Sequence, residues 1–277
     1  MTTITPTPTI TATVAPPTRA RAGDRPTYDP IPLSTVVAVE LRKMFDTRSG
    51  FWMMVSIGIL SVLATGAVIL FAPEQELTYA TFASAIGFPM AVVLPMIAIL
   101  SVTSEWSQRS GLTTFTLVPH RGRIVLAKAI CAVGIGIVSM VIAMVIGAGG
   151  NLLGTTIAGV PTTWDTSVVE LLLIVLANVL GLLVGFTLGV LIRNSAGAIV
   201  AYFVYSLLLP TITGLLAATQ EWFRDLQPWV DFQYNQGGLF EGGLTGQQWT
   251  QLAATGSLWL VLPMVVGGWL VLRSEVK

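Results

Sequence analysis

Residues 104–128 read SEWSQRSGLTTFTLVPHRGRIVLAK and separate two long apolar runs, one ending at 104 and the next beginning near 124. The block holds Glu105, Arg109, His120, Arg121, Arg123 and Lys128, in a chain of 277 residues of which 10% are charged and 53% hydrophobic. Soluble domains carry about 25% charged residues. A chain with so few, and a mean hydropathy of +0.78, belongs in a bilayer, and the block marks where it leaves one.

Six apolar runs, near 51–72, 82–104, 124–149, 168–192, 196–218 and 252–272, each reach the length of about 20 residues that a crossing needs. The cations orient them. With both termini inside, thirteen of the 14 Lys and Arg residues fall in cytoplasmic segments or at their membrane edges, and only Arg224 lies outside. Such a bias sets topology. It places 105–123 in the cytoplasm and 73–81, 151–167 and 219–251 on the outer side. The last of these loops carries Trp222, Phe223, Trp229, Phe232, Tyr234, Phe240 and Trp249, a composition expected to dip into the membrane interface.

Ahead of the spans, PLSTVVAVELRKMFDTR at 32–48 puts Leu33, Val37, Leu41, Met44 and Phe45 on one helical face, with Arg42, Lys43 and Asp46 off it. That pattern predicts an amphipathic interfacial helix. Residues 1–31 are rich in Thr and Pro without apolar period, and are expected to be a disordered cytoplasmic tail. The expected fold class is therefore an all-α membrane protein, with six transmembrane helices preceded by an interfacial helix, both termini cytoplasmic, and 32–277 as one membrane domain. In the fourth span Ala177, Gly181, Gly185 and Gly189 recur every four residues, a smooth ridge for close helix packing. Its neighbour is another span of the chain or the same span in a second copy.

Absent residues narrow the function. The only lysines are Lys43, Lys128 and Lys277, and none follows a glycine, so there is no phosphate-binding G-x-x-x-x-G-K-[ST] loop. The single cysteine, Cys131, and single histidine, His120, exclude an internal disulfide and a His-rich or thiolate metal site. His120 lies in the cytoplasmic block, where it cannot serve an intramembrane serine nucleophile. Net charge is zero, unlike the basic excess of nucleic-acid binders. No Asp, Glu, Lys, Arg or His falls inside 51–72, 82–104, 129–164, 171–192, 194–220 or 252–272, which argues against proton coupling. What remains is a membrane body without an energy source of its own: a subunit driven by a partner, or a passive channel or scaffold. An ion-driven carrier using only carbonyls and hydroxyls is the third class.

The order of amphipathic helix, six spans and a short cytoplasmic segment after the second span resembles permeases of the type-2 ABC exporter family. The segment carries the family's features in order: Glu105 at the end of the second span, the step Gly111-Leu112-Thr113, then Leu117, Pro119, Arg121 or Arg123, and Lys128 at the start of the third span. The final outer loop, with LQPWVDF at 226–232, also looks like that family's loop before the sixth span. The resemblance covers 32–277. It implies a plasma-membrane exporter permease paired with a second copy or close paralogue, above two ATPase subunits that bind ATP and Mg, with no cofactor in this chain. It further implies that Glu105, Arg109, Gly111, Pro119, Arg121, Arg123 and Lys128 couple to the ATPase, and that the second and fifth spans line the substrate path. Those spans offer Phe82, Phe88, Met90, Leu94 and Met96, and Tyr202, Tyr205, Leu208 and Ile212. Aromatic and Met side chains give adaptable contact for a lipid-like molecule or hydrophobic drug. Pro89, Pro95 and Pro210 are expected to loosen both spans, since each removes a helical hydrogen bond.

Overall fold

An apolar stretch of 20 or more residues satisfies its backbone inside a bilayer by becoming a helix. The computed structural model, which describes residues 31–46, 48–107 and 121–273, follows that rule: it is about 90% helical and contains no strand among those residues. In chain order the helices are α1 (Leu33–Asp46), α2 (Arg48–Phe71), α3 (Tyr79–Ser107), α4 (Arg121–Ala158), α5 (Val168–Ile192), α6 (Ser195–Thr219), α7 (Glu221–Val230), α8 (Phe232–Gly237) and α9 (246–273). Six of them, α2 to α6 and α9, are long and apolar enough to cross a membrane. The protein is a multi-pass membrane protein of helical type.

Local chemistry sets several helix ends. At α5, Ser167 and Glu170 form a reciprocal capping box, and Thr245 and Gln248 do the same at α9. This satisfies two otherwise orphaned N–H groups at each start. The turn between α5 and α6 is two residues long. Arg193 adopts a left-handed conformation, φ 57°, and Asn194 accepts a hydrogen bond from the Gly197 N–H to start the next helix. The α4 helix runs beyond the expected end near 149, straight through Gly149 and Gly150, and stops only before Gly159 at φ 71°. The loop that follows returns to α3: Asp165 Oδ1 accepts from the Ala80 N–H at 2.9 Å, and the Thr163 carbonyl from the Tyr79 N–H.

The α3 helix is central, packed on α2, α4 and α5, and α9 covers another side of α5. Lipid tails are as apolar as Leu, so close contact rather than water exclusion holds such helices together. The ridge on α5 supplies that contact within the chain. A Cβ added at Gly185 would lie 2.8 Å from Pro95 Cβ and 2.9 Å from its carbonyl, and one at Gly189 would lie 2.7 Å from Val102 Cγ1. The Gly185–Gly189 half of the ridge therefore meets α3, while at Gly181 the neighbour is the Gln236 side chain. A second notch, Gly150 and Gly154 on α4, receives the Phe82 ring.

Candidate functional site, an ion-paired brace and a polar cavity

Near the C-terminal end of α3 and the N-terminal end of α4, the two helices flanking the polar block are tied to α1. Lys128, seven residues into α4, donates to Glu40 Oε2 at 2.6 Å and to the Ser101 carbonyl of α3 at 3.1 Å. Lys43 donates to Glu40 Oε1 at 2.7 Å. Glu40 and Lys128 are both buried. Burial pushes the Glu40 carboxyl up, but the charge and hydrogen bond of Lys128, with Lys43 beside it, pull harder and hold it below its ordinary value. Cys131 adds a weak link, its thiol donating to the Val37 carbonyl at 3.4 Å. One cluster thus joins three helices.

Glu40 is not among the residues expected from the sequence. The signal was present, since Glu40 sits in the stripe of Leu33, Val37, Leu41 and Met44, where an acid has no place unless a cation meets it. Of the expected coupling residues, Lys128 is in the cluster and Arg123 is half-buried on the first turn of α4. Arg109, Gly111 and Pro119 lie outside the described residues, as do the side chains of Glu105 and Arg121. The α3 helix continues unbroken to Ser107, so Glu105, expected at the end of the second span, lies within that same helix.

The expected path residues divide. Phe82, Met90 and Leu94 are core residues, 0–1% exposed within the chain. Phe82 fills the α4 notch, while Met90 and Leu94 pack in the cluster that contains Leu182 and Phe186. Met96 is half-buried against the α5–α6 core. Phe88, at 79% exposure, and Leu208 and Ile212 face outward from the chain. Tyr202 and Tyr205 are buried but border a cavity with Phe88.

The prolines do not simply loosen their helices. Pro95 leaves the Ala91 carbonyl without its helical donor, and the Tyr202 hydroxyl donates to that oxygen at 2.8 Å. Pro210 likewise frees the Ser206 carbonyl, and Gln233 Nε2 donates to it at 3.1 Å. Just before Pro210 the α6 helix widens into a π-turn, Val204–Leu208, and α9 does the same at Ser257–Val261 before Pro263. The carbonyls freed by Pro95 and Pro210 have become cross-links between elements.

The segment carrying Gln233 folds back among the spans. Gln236 Nε2 donates to the Ala177 carbonyl at 2.6 Å, nine residues inside α5, which is about 14 Å of helix. Asp231 anchors the segment. Its carboxylate accepts from Thr213 Oγ1 at 2.7 Å, Gln227 Nε2 at 3.3 Å and the N–H groups of Gln233 and Tyr234 at 3.0 Å. Asn235 donates to the Pro228 carbonyl and to Thr255 Oγ1, and Trp259 Nε1 donates to the Val230 carbonyl. The aromatic loop thus becomes an inserted wedge. Its signal in the sequence was the run of Gln, Asn and Asp among aromatics, side chains able to reach backbone carbonyls of neighbouring spans. Among the described residues no three His, Cys, Asp or Glu side chains gather as metal ligands. No protein-family model matches the chain, and a search of curated proteins returns no match.

Proposed function

We propose that the chain is the membrane subunit of an ATP-driven exporter of the ABC type, working as a pair of permease copies or paralogues on two separate ATPase subunits. In this reading both termini and 105–123 are cytoplasmic, α1 lies in the inner interface, and the assembly sits in the plasma membrane. ATP and Mg belong to the partner. The observation that carries the reading is the Lys128–Glu40 pair with its Ser101 contact. It makes α1 and the two ends flanking the polar block one mechanical unit, so a push on the block moves α3 and α4 together. The uncharged faces bearing Phe88, Leu208 and Ile212 favour an amphiphilic or hydrophobic cargo. They also present surface for a second copy.

Co-expression with the ATPase that travels with the protein, followed by reconstitution, tests this directly. Substrate-stimulated ATP hydrolysis is expected, with Glu105→Ala and Arg123→Ala abolishing the stimulation while insertion stays normal. Transport that persists without ATP and without a co-purifying ATPase would overturn the reading. The topology has its own check. In a chain with Cys131 replaced, a cysteine at Glu76 should react with an impermeant thiol reagent on intact cells, and one at Ser110 should not.

A further inference from the structure

The helices α4, α5 and α9 leave an apolar groove between them, about 280 Å³ in volume. Gly122, Leu126 and Ala129 form one wall, Met264 and Gly268 the other, and buried Phe186 closes the floor. Helical spacing makes the walls, since 122, 126 and 129 share one face of α4, and 264 and 268 one face of α9. A Cβ placed on Gly122 or on Gly268 would meet open space, so the two glycines keep the groove clear. Leu126 is 50% exposed, and the groove opens outward from the bundle. Neither α3 nor α6 lines it, so it is no part of the path expected between the second and fifth spans.

One end of the groove lies where the spans end. Gly122 is in the first turn of α4, and Gly268 is within the last two turns before Arg273. A Cβ on the adjacent Gly267 would lie 3.0 Å from Val190 Cγ1 and 3.2 Å from the Leu191 nitrogen, which puts this part of α9 against the last turn of α5. Each of the three helices carries an arginine at that end. Arg123 is on the first turn of α4, Arg193 is the left-handed residue that closes α5, and Arg273 ends α9. Arg193 follows Phe186 by about two helical turns, beyond the floor of the groove. Arg273 sits on Trp269, its guanidinium carbon 4.1 Å from the ring centroid, and both residue types favour a membrane interface. None of the three arginines is ion-paired among the described residues, whereas Glu40 and Asp46 of α1 already hold cations.

An apolar groove open to hydrocarbon fills with hydrocarbon, because an empty one forfeits contact with its own walls. Gly122 to Ala129 spans about 10 Å of helix, which suits part of one acyl chain rather than a whole lipid. A chain lying there brings its headgroup to the arginine end. Guanidinium groups match phosphate in charge and in hydrogen-bond geometry. A choline headgroup would add a fourth cation to three unpaired ones, whereas a headgroup of net negative charge would not. We propose that the groove holds an acyl chain of an anionic phospholipid, whose phosphate pairs with Arg123, Arg193 and Arg273. The site rests on the membrane placement of the spans and stands or falls separately from the exporter reading.

The test uses the full chain in nanodiscs of phosphatidylcholine and phosphatidylglycerol with matched acyl chains. Native mass spectrometry then reads which lipids stay bound after transfer to detergent. The wild type should retain phosphatidylglycerol in preference. Arg193→Gln and Arg273→Gln should each lower that preference by about fivefold, the factor expected for one cation beside an anionic lipid. Gly268→Phe, which fills the groove and leaves every arginine in place, should lower it at least as far. Gly58→Phe, into equally open space on α2, and Arg42→Gln on α1 should leave it unchanged. Equal retention of the two lipids by the wild type would overturn the proposal. So would a loss in Arg42→Gln equal to that in Arg193→Gln, which would show only a general attraction to surface charge. A Gly268→Phe protein that keeps its phosphatidylglycerol, but is a monomer where the wild type is a dimer, would give the groove to a second copy instead. Should Gly268→Phe fail to fold, the two arginine variants still decide the matter against Arg42→Gln.

Discussion

The brace around Glu40 and the cavity around Tyr205 both bury polar atoms in an apolar body, yet their accounts differ. In the brace each carboxylate oxygen has an ammonium partner, and Lys128 also reaches a backbone carbonyl. Around the cavity three side-chain oxygens, Asn178 Oδ1, Tyr205 OH and Gln233 Oε1, have no partner among the described residues. A satisfied buried cluster fixes geometry, because moving any member strands the others. The difference is between satisfied and unsatisfied polar groups, and it is why the brace carries the mechanical reading.

Breaking the joint should have the largest effect. Lys128→Met leaves Glu40 buried with only the half-exposed Lys43 for a partner, and removing one member of a buried pair costs about 3–5 kcal/mol. Thermal unfolding in detergent should show the loss, and the double variant Glu40→Gln/Lys128→Met should recover much of it. If the single and double variants melt alike, the pair is not the joint.

Next in size is the helix contact that both regions depend on. Gly185→Val would push atoms into the Pro95 backbone, which cannot step aside as a flexible side chain can. Overpacking of this kind costs about 1–3 kcal/mol. A normal melting temperature for Gly185→Val would mean that α3 and α5 are not held at this distance.

Near the cavity, the Tyr202 hydroxyl is expected to be structural, unlike its neighbour on Tyr205. Tyr202→Phe strands the carbonyl that Pro95 freed and should cost about 1–2 kcal/mol. In Pro95→Ala the helix supplies its own donor, so adding Tyr202→Phe there should cost clearly less. Equal costs in the two backgrounds would break the link between proline and tyrosine.

The brace also predicts a pH dependence. The Glu40 carboxyl is held below its ordinary value of 4.5 in the folded protein. Its contribution is therefore fully present above that value and is lost as pH falls toward the folded one. Melting temperatures between pH 7 and pH 3 should converge for wild type and Glu40→Gln at the acid end. Parallel curves would deny the brace its charge.

The smallest effect has the opposite sign. Tyr205→Phe removes a hydroxyl that has no partner among the described residues, and it should leave stability unchanged or raise it slightly. A loss comparable to that of Tyr202→Phe would show that the Tyr205 hydroxyl is satisfied within the protein.

The sequence by itself determined the number of spans and their approximate places, because a bilayer demands about 20 apolar residues per crossing and the composition offered six such runs. It also marked the glycine ridge of α5, whose period is a property of one helix, although the partner, α3, was not legible. Contacts between distant segments were decided only by the tertiary structure. Glu40 and Lys128 are 88 positions apart, and Tyr202 and Ala91 are 111 apart. A helical period shows which residues share a face and not what that face meets. For the same reason Phe82, Met90 and Leu94 could not be told from Phe88 by residue type, since the same apolar side chain serves a core, a lipid face or a binding rim. The prolines were legible as broken hydrogen bonds. That Tyr202 and Gln233 would supply the missing donors depended on the inserted loop, whose place among the spans is fixed by its buried Asp231 and Asn235 network and by nothing periodic in the chain.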